Sequence, residues 1–176
     1  MPCMTRARNR AAFLATGLIL LGAAKSPAPA APAPCTAQSY RSMDFAIGVW
    51  EAKNAKGAVI GVGEWRPILG GCAIRFTYRG HRSIGTAQDA YDATRSLWQK
   101  TWVDDSGDVE LSEGHASAGR IVYTGYDFRQ GRPVSLHRGT LTFRAPGSLR
   151  YHLETSRDSG KTWQPSDDVF YSKIKS

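Results

Sequence analysis

The chain has 176 residues, 41% of them apolar and 22% charged, with 23 Lys+Arg against 15 Asp+Glu. That composition excludes a disordered chain and suits one globular domain of roughly 100–200 residues. Three cysteines are too few for a disulfide-built scaffold, and the net charge of +8 argues for nucleic acid or an anionic surface only if the basic residues belong to the working domain.

In the first 30 residues, Arg6, Arg8 and Arg10 lead into an apolar run from Ala11 to Ala24, followed by small residues. A basic start, a short apolar stretch and a small-residue boundary predict a secretory signal over 1–30, cleaved after Ala24 or Ala30. The run falls short of the roughly 20 residues that a spanning helix needs, so no stable membrane span is expected after cleavage. A retained N-terminal anchor is the alternative. Cleavage would remove Arg6, Arg8, Arg10 and Lys25 but no acidic residue, leaving 19 Lys+Arg against 15 Asp+Glu, a charge of +4. Nucleic acid is therefore not an expected partner: no run of about five to eight basic residues remains, and Arg75, Arg79 and Arg82 read as a solvated strand face.

Cys3 leaves with the signal, and Cys35 and Cys72 stay. In a periplasmic or secreted location they can form a disulfide. Alternatively, Cys72 packs as a small apolar residue while Cys35 is a free thiol. Residues 31–42 read as a Pro/Ala-rich linker, because the alternation from Pro27 to Pro34 favours extended backbone that builds no core.

From residue 43 to 176 the texture is strand and turn. Cys72 to Arg79 alternates, with Ile74, Phe76 and Tyr78 on one face and Arg75, Thr77 and Arg79 on the other. Ser96 to Val103, Arg120 to Phe128, Val134 to Phe143, Leu149 to Thr155 and Trp163 to Tyr171 are rich in β-branched and aromatic residues. Gly-, Pro-, Asn- and Asp-containing turns separate them, at 54–57, 69–71, 104–107, 130–133 and 145–148. The spacing predicts an all-β domain, an antiparallel up-and-down barrel of about ten strands, closed or nearly closed so that its edges are hidden. A barrel of that size has more interior than its own side chains fill, which points to a ligand.

Asp44-Phe45, Gly48-Val49-Trp50, Ile68-Leu69-Gly70-Gly71-Cys72, the Trp98 to Asp104 stretch and the Ser156 to Trp163 stretch together resemble an uncharacterised bacterial family of calycin-like β-barrels, similar to lipocalins and nitrobindins. The resemblance covers Met43 to Tyr171 and implies a calycin barrel, with no general activity attached. Gly48 and Trp50 are similar to the lipocalin Gly-x-Trp element, in which the Trp closes one barrel end, and both read as structural. Where the family more often has Gln, this chain has Lys100.

Trp98, Lys100 and Trp102 share a strand face by alternation. If that face lines a cavity, the ligand-binding set is Trp98, Lys100, Trp102, Tyr78 and Phe76. Lys100 would then suit a carboxylate or, with a pKa lowered by burial, Schiff-base chemistry. The simpler expectation has both tryptophans in the core and Lys100 running out to the rim.

Ser156, Asp158, Gly160 and Trp163 match the Asp-box of sialidase propellers, but a single copy without repeats reads as a structural hairpin. Of the four histidines, His81 and His115 sit near glycines, and His137 and His152 fall in strands. No His-x-x-x-His or Cys-x-x-Cys spacing occurs and acidic residues do not group with His along the chain, so no metal is expected. No cofactor is expected either; haem would require a longer Gly-rich extension beside Gly-x-Trp. The resulting reading is an exported barrel holding a small hydrophobic or carboxylate-bearing ligand. The alternative is an isomerase, lyase or cyclase acting on a hydrophobic substrate, with Lys100, His137 or Glu64 as acid or base. A surface that binds an envelope partner is a third class.

Overall fold

A computed structural model describes residues 35–175. The expected signal over 1–30 and the first part of the linker lie outside them. The strands are β1 (Gly48–Lys53), β2 (Val59–Ile68), β3 (Ala73–Gly80), β4 (Ile84–Asp92), β5 (Leu97–Asp104), β6 (Val109–Ser117), β7 (Arg120–Arg129), β8 (Arg132–Ala145), β9 (Ser148–Ser156) and β10 (Gln164–Lys175). Each pairs antiparallel with its neighbour in sequence, and β10 returns to β1, closing an up-and-down barrel. Closure pairs every one of these strands on both sides and leaves no sheet edge among the described residues. The all-β expectation is met.

Alternation decides which residues face inward. In β4, Gly85, Ala87 and Asp89 are buried while Ile84, Thr86 and Gln88 are exposed. In β5, Trp98 is buried and Lys100 and Trp102 are half-buried, whereas Gln99, Thr101 and Val103 are exposed. Two glycines let aromatic rings lie against the inner wall. A Cβ on Gly85 would sit 2.2 Å from the Trp102 ring, and one on Gly63 would sit 2.8 Å from Phe76. Only glycine gives these rings that room.

One end of the barrel is stoppered by the segment that precedes β1. Two short 3₁₀ turns, Gln38–Arg41 and Asp44–Ala46, carry Met43 and Ala46 into the core, where they are 1% and 0% exposed. The Trp50 indole donates to the Ala46 carbonyl at 2.8 Å, and the Trp98 indole donates to Ser42 Oγ at 3.0 Å. Arg41 donates to the Gly71 carbonyl. A Cys35–Cys72 disulfide, spanning 37 residues, fastens the start of this stopper to the turn between β2 and β3. Loop closure of that length stabilises a fold by about 2–4 kcal/mol. The linker expected over 31–42 is thus, from Gln38 onward, part of the closed end.

The turns at the opposite end form the mouth. There the Ser156–Trp163 hairpin is held by its own side chains. Ser156 Oγ accepts from the Gly160 amide at 2.8 Å, and Asp158 accepts from the Thr162 amide and hydroxyl at 2.9 and 2.7 Å. Gly160 has φ +85°. These donors, the Thr162 hydroxyl first, pull the Asp158 carboxyl down to about 2. No helix among the described residues is long and apolar enough to cross a membrane.

Candidate functional site: the barrel cavity

Above the stopper lies a cavity of about 680 Å³ that reaches the mouth at Asn54, His81, Arg82 and Ser83. Met43 forms part of its floor. One wall is aromatic. Trp65 stacks on Phe76 with ring centroids 4.0 Å apart, Phe76 on Trp102 at 5.9 Å, and Tyr171 meets Trp65 edge-on at 5.1 Å. Tyr78 adjoins Phe76 and donates its hydroxyl to the Ile60 carbonyl at 3.1 Å.

The facing wall is polar, and strand register assembles it. Asp89 in β4 lies opposite Lys100 in β5, Lys100 opposite Ser112 in β6, Ser112 opposite Gly125 in β7, and Gly125 opposite His137 in β8. One step toward the mouth, Trp102, Glu110, Asp127 and Ser135 form a second such row. Lys100 Nζ is 3.1 Å from Glu110 Oε2, and it sits 5.8 and 5.7 Å from the ring centroids of Tyr123 and Tyr151. Tyr123 donates to Asp89 at 2.6 Å. His137 is 1% exposed, with Nδ1 2.8 Å from Asp127 Oδ1 and Nε2 4.0 Å from Glu110 Oε2. Burial raises the Asp127 carboxyl, but His137 and then the Ser135 hydroxyl more than reverse this and hold it below the ordinary value.

Three sequence expectations are corrected by this geometry. Lys100 does not run to the rim: its side chain is 11% exposed inside the barrel. Its pKa is not lowered. Burial alone pushes it down, but Tyr151, Glu110 and Asp89 together more than reverse that and raise it above the ordinary lysine value. An ammonium so held is a poor nucleophile, which removes the basis for Schiff-base chemistry. Acidic residues also group with His after all, because Glu110, Asp127 and His137 bring ligand atoms within 4.8 Å of one another. The Lys100 ammonium stands 3.1 Å from the Glu110 carboxylate of this group.

Among the other candidates, Phe76, Tyr78, Lys100 and Trp102 line the cavity. Trp98 does not; at 1% exposure it is core beneath the stopper, beside Tyr91. Glu64 lies next to the inward Trp65 in β2 and therefore faces outward, away from the interior. His137 belongs to the polar wall, one layer behind Glu110.

The chain matches no protein-family model and no curated protein. Within the cavity, Asp89 is the most deeply buried carboxyl, at 2% exposure. Burial raises its pKa to about 6, with Lys100 and the Tyr123 hydroxyl pulling the other way. A carboxyl whose folded pKa lies above its unfolded value near 3.8 binds more protons when folded, so its burial penalty is absent at low pH and grows as pH rises through about 6. That penalty amounts to about 3 kcal/mol at pH 8. Asp89→Asn, which keeps an acceptor for Tyr123, is expected to remove the part of the stability fall that begins near the unfolded value of 3.8 and levels off above about 6. Denaturant midpoints of both proteins across that range test this, and parallel pH profiles would contradict it.

Proposed function

We propose that this protein is an exported barrel that binds one small, flat, mostly apolar molecule through the open mouth. The observation that carries the reading is the cavity itself. Its volume of about 680 Å³ lies in the range typical of small-molecule sites, roughly 300–1,000 Å³, and it combines a large aromatic wall with a few convergent polar groups. The stacked Trp65–Phe76–Trp102 row offers flat faces to a planar ring system. Export is supported by the basic and apolar start of the chain and by the Cys35–Cys72 bond, which suits an oxidising compartment. The calycin resemblance of the Gly48-Val49-Trp50 and Trp98–Asp104 stretches fits the same reading.

A second reading rests on Asp89. A buried carboxyl at about 6, hydrogen-bonded by Tyr123 and facing an open cavity, is suited to proton transfer. It supports an isomerase, lyase or cyclase acting on a hydrophobic substrate. This moves the acid–base assignment away from Glu64.

Native mass spectrometry of protein purified from the cells that make it tests both. A co-purified small molecule that is released unchanged is the expected result. A molecule released in converted form would favour the enzyme, and an unliganded mass that binds no aromatic probe would overturn both.

A further inference from the structure

Resting on the binding function proposed above, the charge inventory of the cavity points to a narrower class of ligand. We infer that the cavity selects an aromatic or polycyclic molecule bearing a protonated amine, and rejects the corresponding carboxylate.

The cavity lining contributes the carboxylates Asp89, Asp104, Glu110 and Asp167. Against these four stand Lys100 and, at the mouth, Arg82. Even with His81 added to the cations, the negative charges outnumber the positive ones. Lys100 is the group that a carboxylate ligand would seek, but it is already 3.1 Å from Glu110 and lies across the strand pair from Asp89. A carboxylate entering here would add one more negative charge to a partly desolvated site that has too many, and like charges at short range in low dielectric repel strongly. An ammonium reduces the imbalance.

Independent features fit the same ligand. Lys100 itself shows that this wall accommodates an ammonium, since its Nζ lies beside the faces of Tyr123 and Tyr151 at 5.8 and 5.7 Å while pairing with Glu110. The buried His137 imidazole stands 2.8 Å from Asp127 and only 4.0 Å from Glu110, so it serves Asp127 first and leaves Glu110 to Lys100 and an incoming ammonium. Nearer the mouth, Asp167 forms no ion pair among the described residues and lies close enough to raise the pKa of Tyr78 after burial has done so. It provides a second anionic stop along the path an amine would take. The aromatic body would lie along the opposite row of Trp65, Phe76 and Trp102.

Three probes of one shape separate the charge from the shape: 2-naphthylmethylamine, 2-naphthoate and neutral 2-methylnaphthalene, each titrated calorimetrically into the protein at neutral pH. The amine is expected to bind at least tenfold more tightly than the naphthoate and more tightly than the hydrocarbon. In Asp167→Asn, a substitution at the mouth that leaves the interior intact, amine affinity is expected to fall at least threefold and hydrocarbon affinity to stay the same. Naphthoate binding as tightly as the amine, or an amine affinity indifferent to Asp167→Asn, would overturn the cationic selectivity while leaving the binding function standing. Failure of all three probes to bind would overturn the binding function as well.

Discussion

Lys100→Met is expected to destabilise the barrel by about 3–5 kcal/mol, because it removes the cation that pairs with Glu110 and lies across the strand pair from Asp89, leaving both carboxyls without compensation. Methionine matches the stem of lysine in length and shape, so lost packing is a small part of the effect. The deficit carries a signature. Asp89, already at about 6, loses the pull of Lys100 and shifts further up, so its carboxyl stays neutral over a wider range. The destabilisation measured at pH 8 should therefore shrink at pH 5, where Asp89 is protonated in both proteins. Adding Glu110→Gln to Lys100→Met should recover part of the loss, since the partner left behind is no longer a charge. Urea melts of the single and double variants at both pH values measure all of this. A Lys100→Met protein as stable as the parent at pH 8 would mean that water, and not Lys100, solvates the carboxylates.

Trp50→Ala should cost at least as much, about 3–5 kcal/mol, by a different route. Trp50 is 1% exposed, packs within the core cluster that includes Met43 and Ala46, and donates to the Ala46 carbonyl. Truncation opens a cavity beneath the stopper and strands a buried carbonyl together. Trp50→Phe isolates the second loss, expected at about 1–2 kcal/mol. Trp102→Ala provides the contrast. Its ring is half-buried and borders the open cavity, so truncation enlarges a space already present and should cost less stability while weakening the binding of flat ligands. If Trp50→Ala and Trp102→Ala proved equally costly, the distinction between a packed floor and an open cavity would fail.

The barrel is legible in the sequence because each strand announces itself locally: alternation in Ile74–Tyr78, glycine and proline at the turns, and no helical period of any length. Phe76, Tyr78 and Trp102 are found by alternation alone. The polar wall is not, because it is a product of register. Asp89, Glu110, Ser112, Asp127 and His137 sit on separate strands, and nothing in their spacing along the chain says that Asp89 lies opposite Lys100 or Glu110 opposite Asp127. A partial signal exists in β4, where Asp89 shares the parity of Ala87 and Tyr91, small and aromatic residues of an inner face. The same parity test, with Trp65 facing in, places Glu64 outside. Trp98 and Trp102 share a face yet differ in role because the stopper covers one and not the other, and that depends on residues 38–46 folding back across the barrel end.

The central claim, that the interior is open to a ligand, is tested most directly by titrating the uncharged fluorescent probe N-phenyl-1-naphthylamine while following tryptophan emission from the cavity wall. Saturable binding of one probe per chain is predicted, with quenching of that emission and loss of binding in Leu153→Trp, which fills the cavity from β9. No saturable binding to the parent protein, or binding that survives the filling substitution unchanged, would contradict the account.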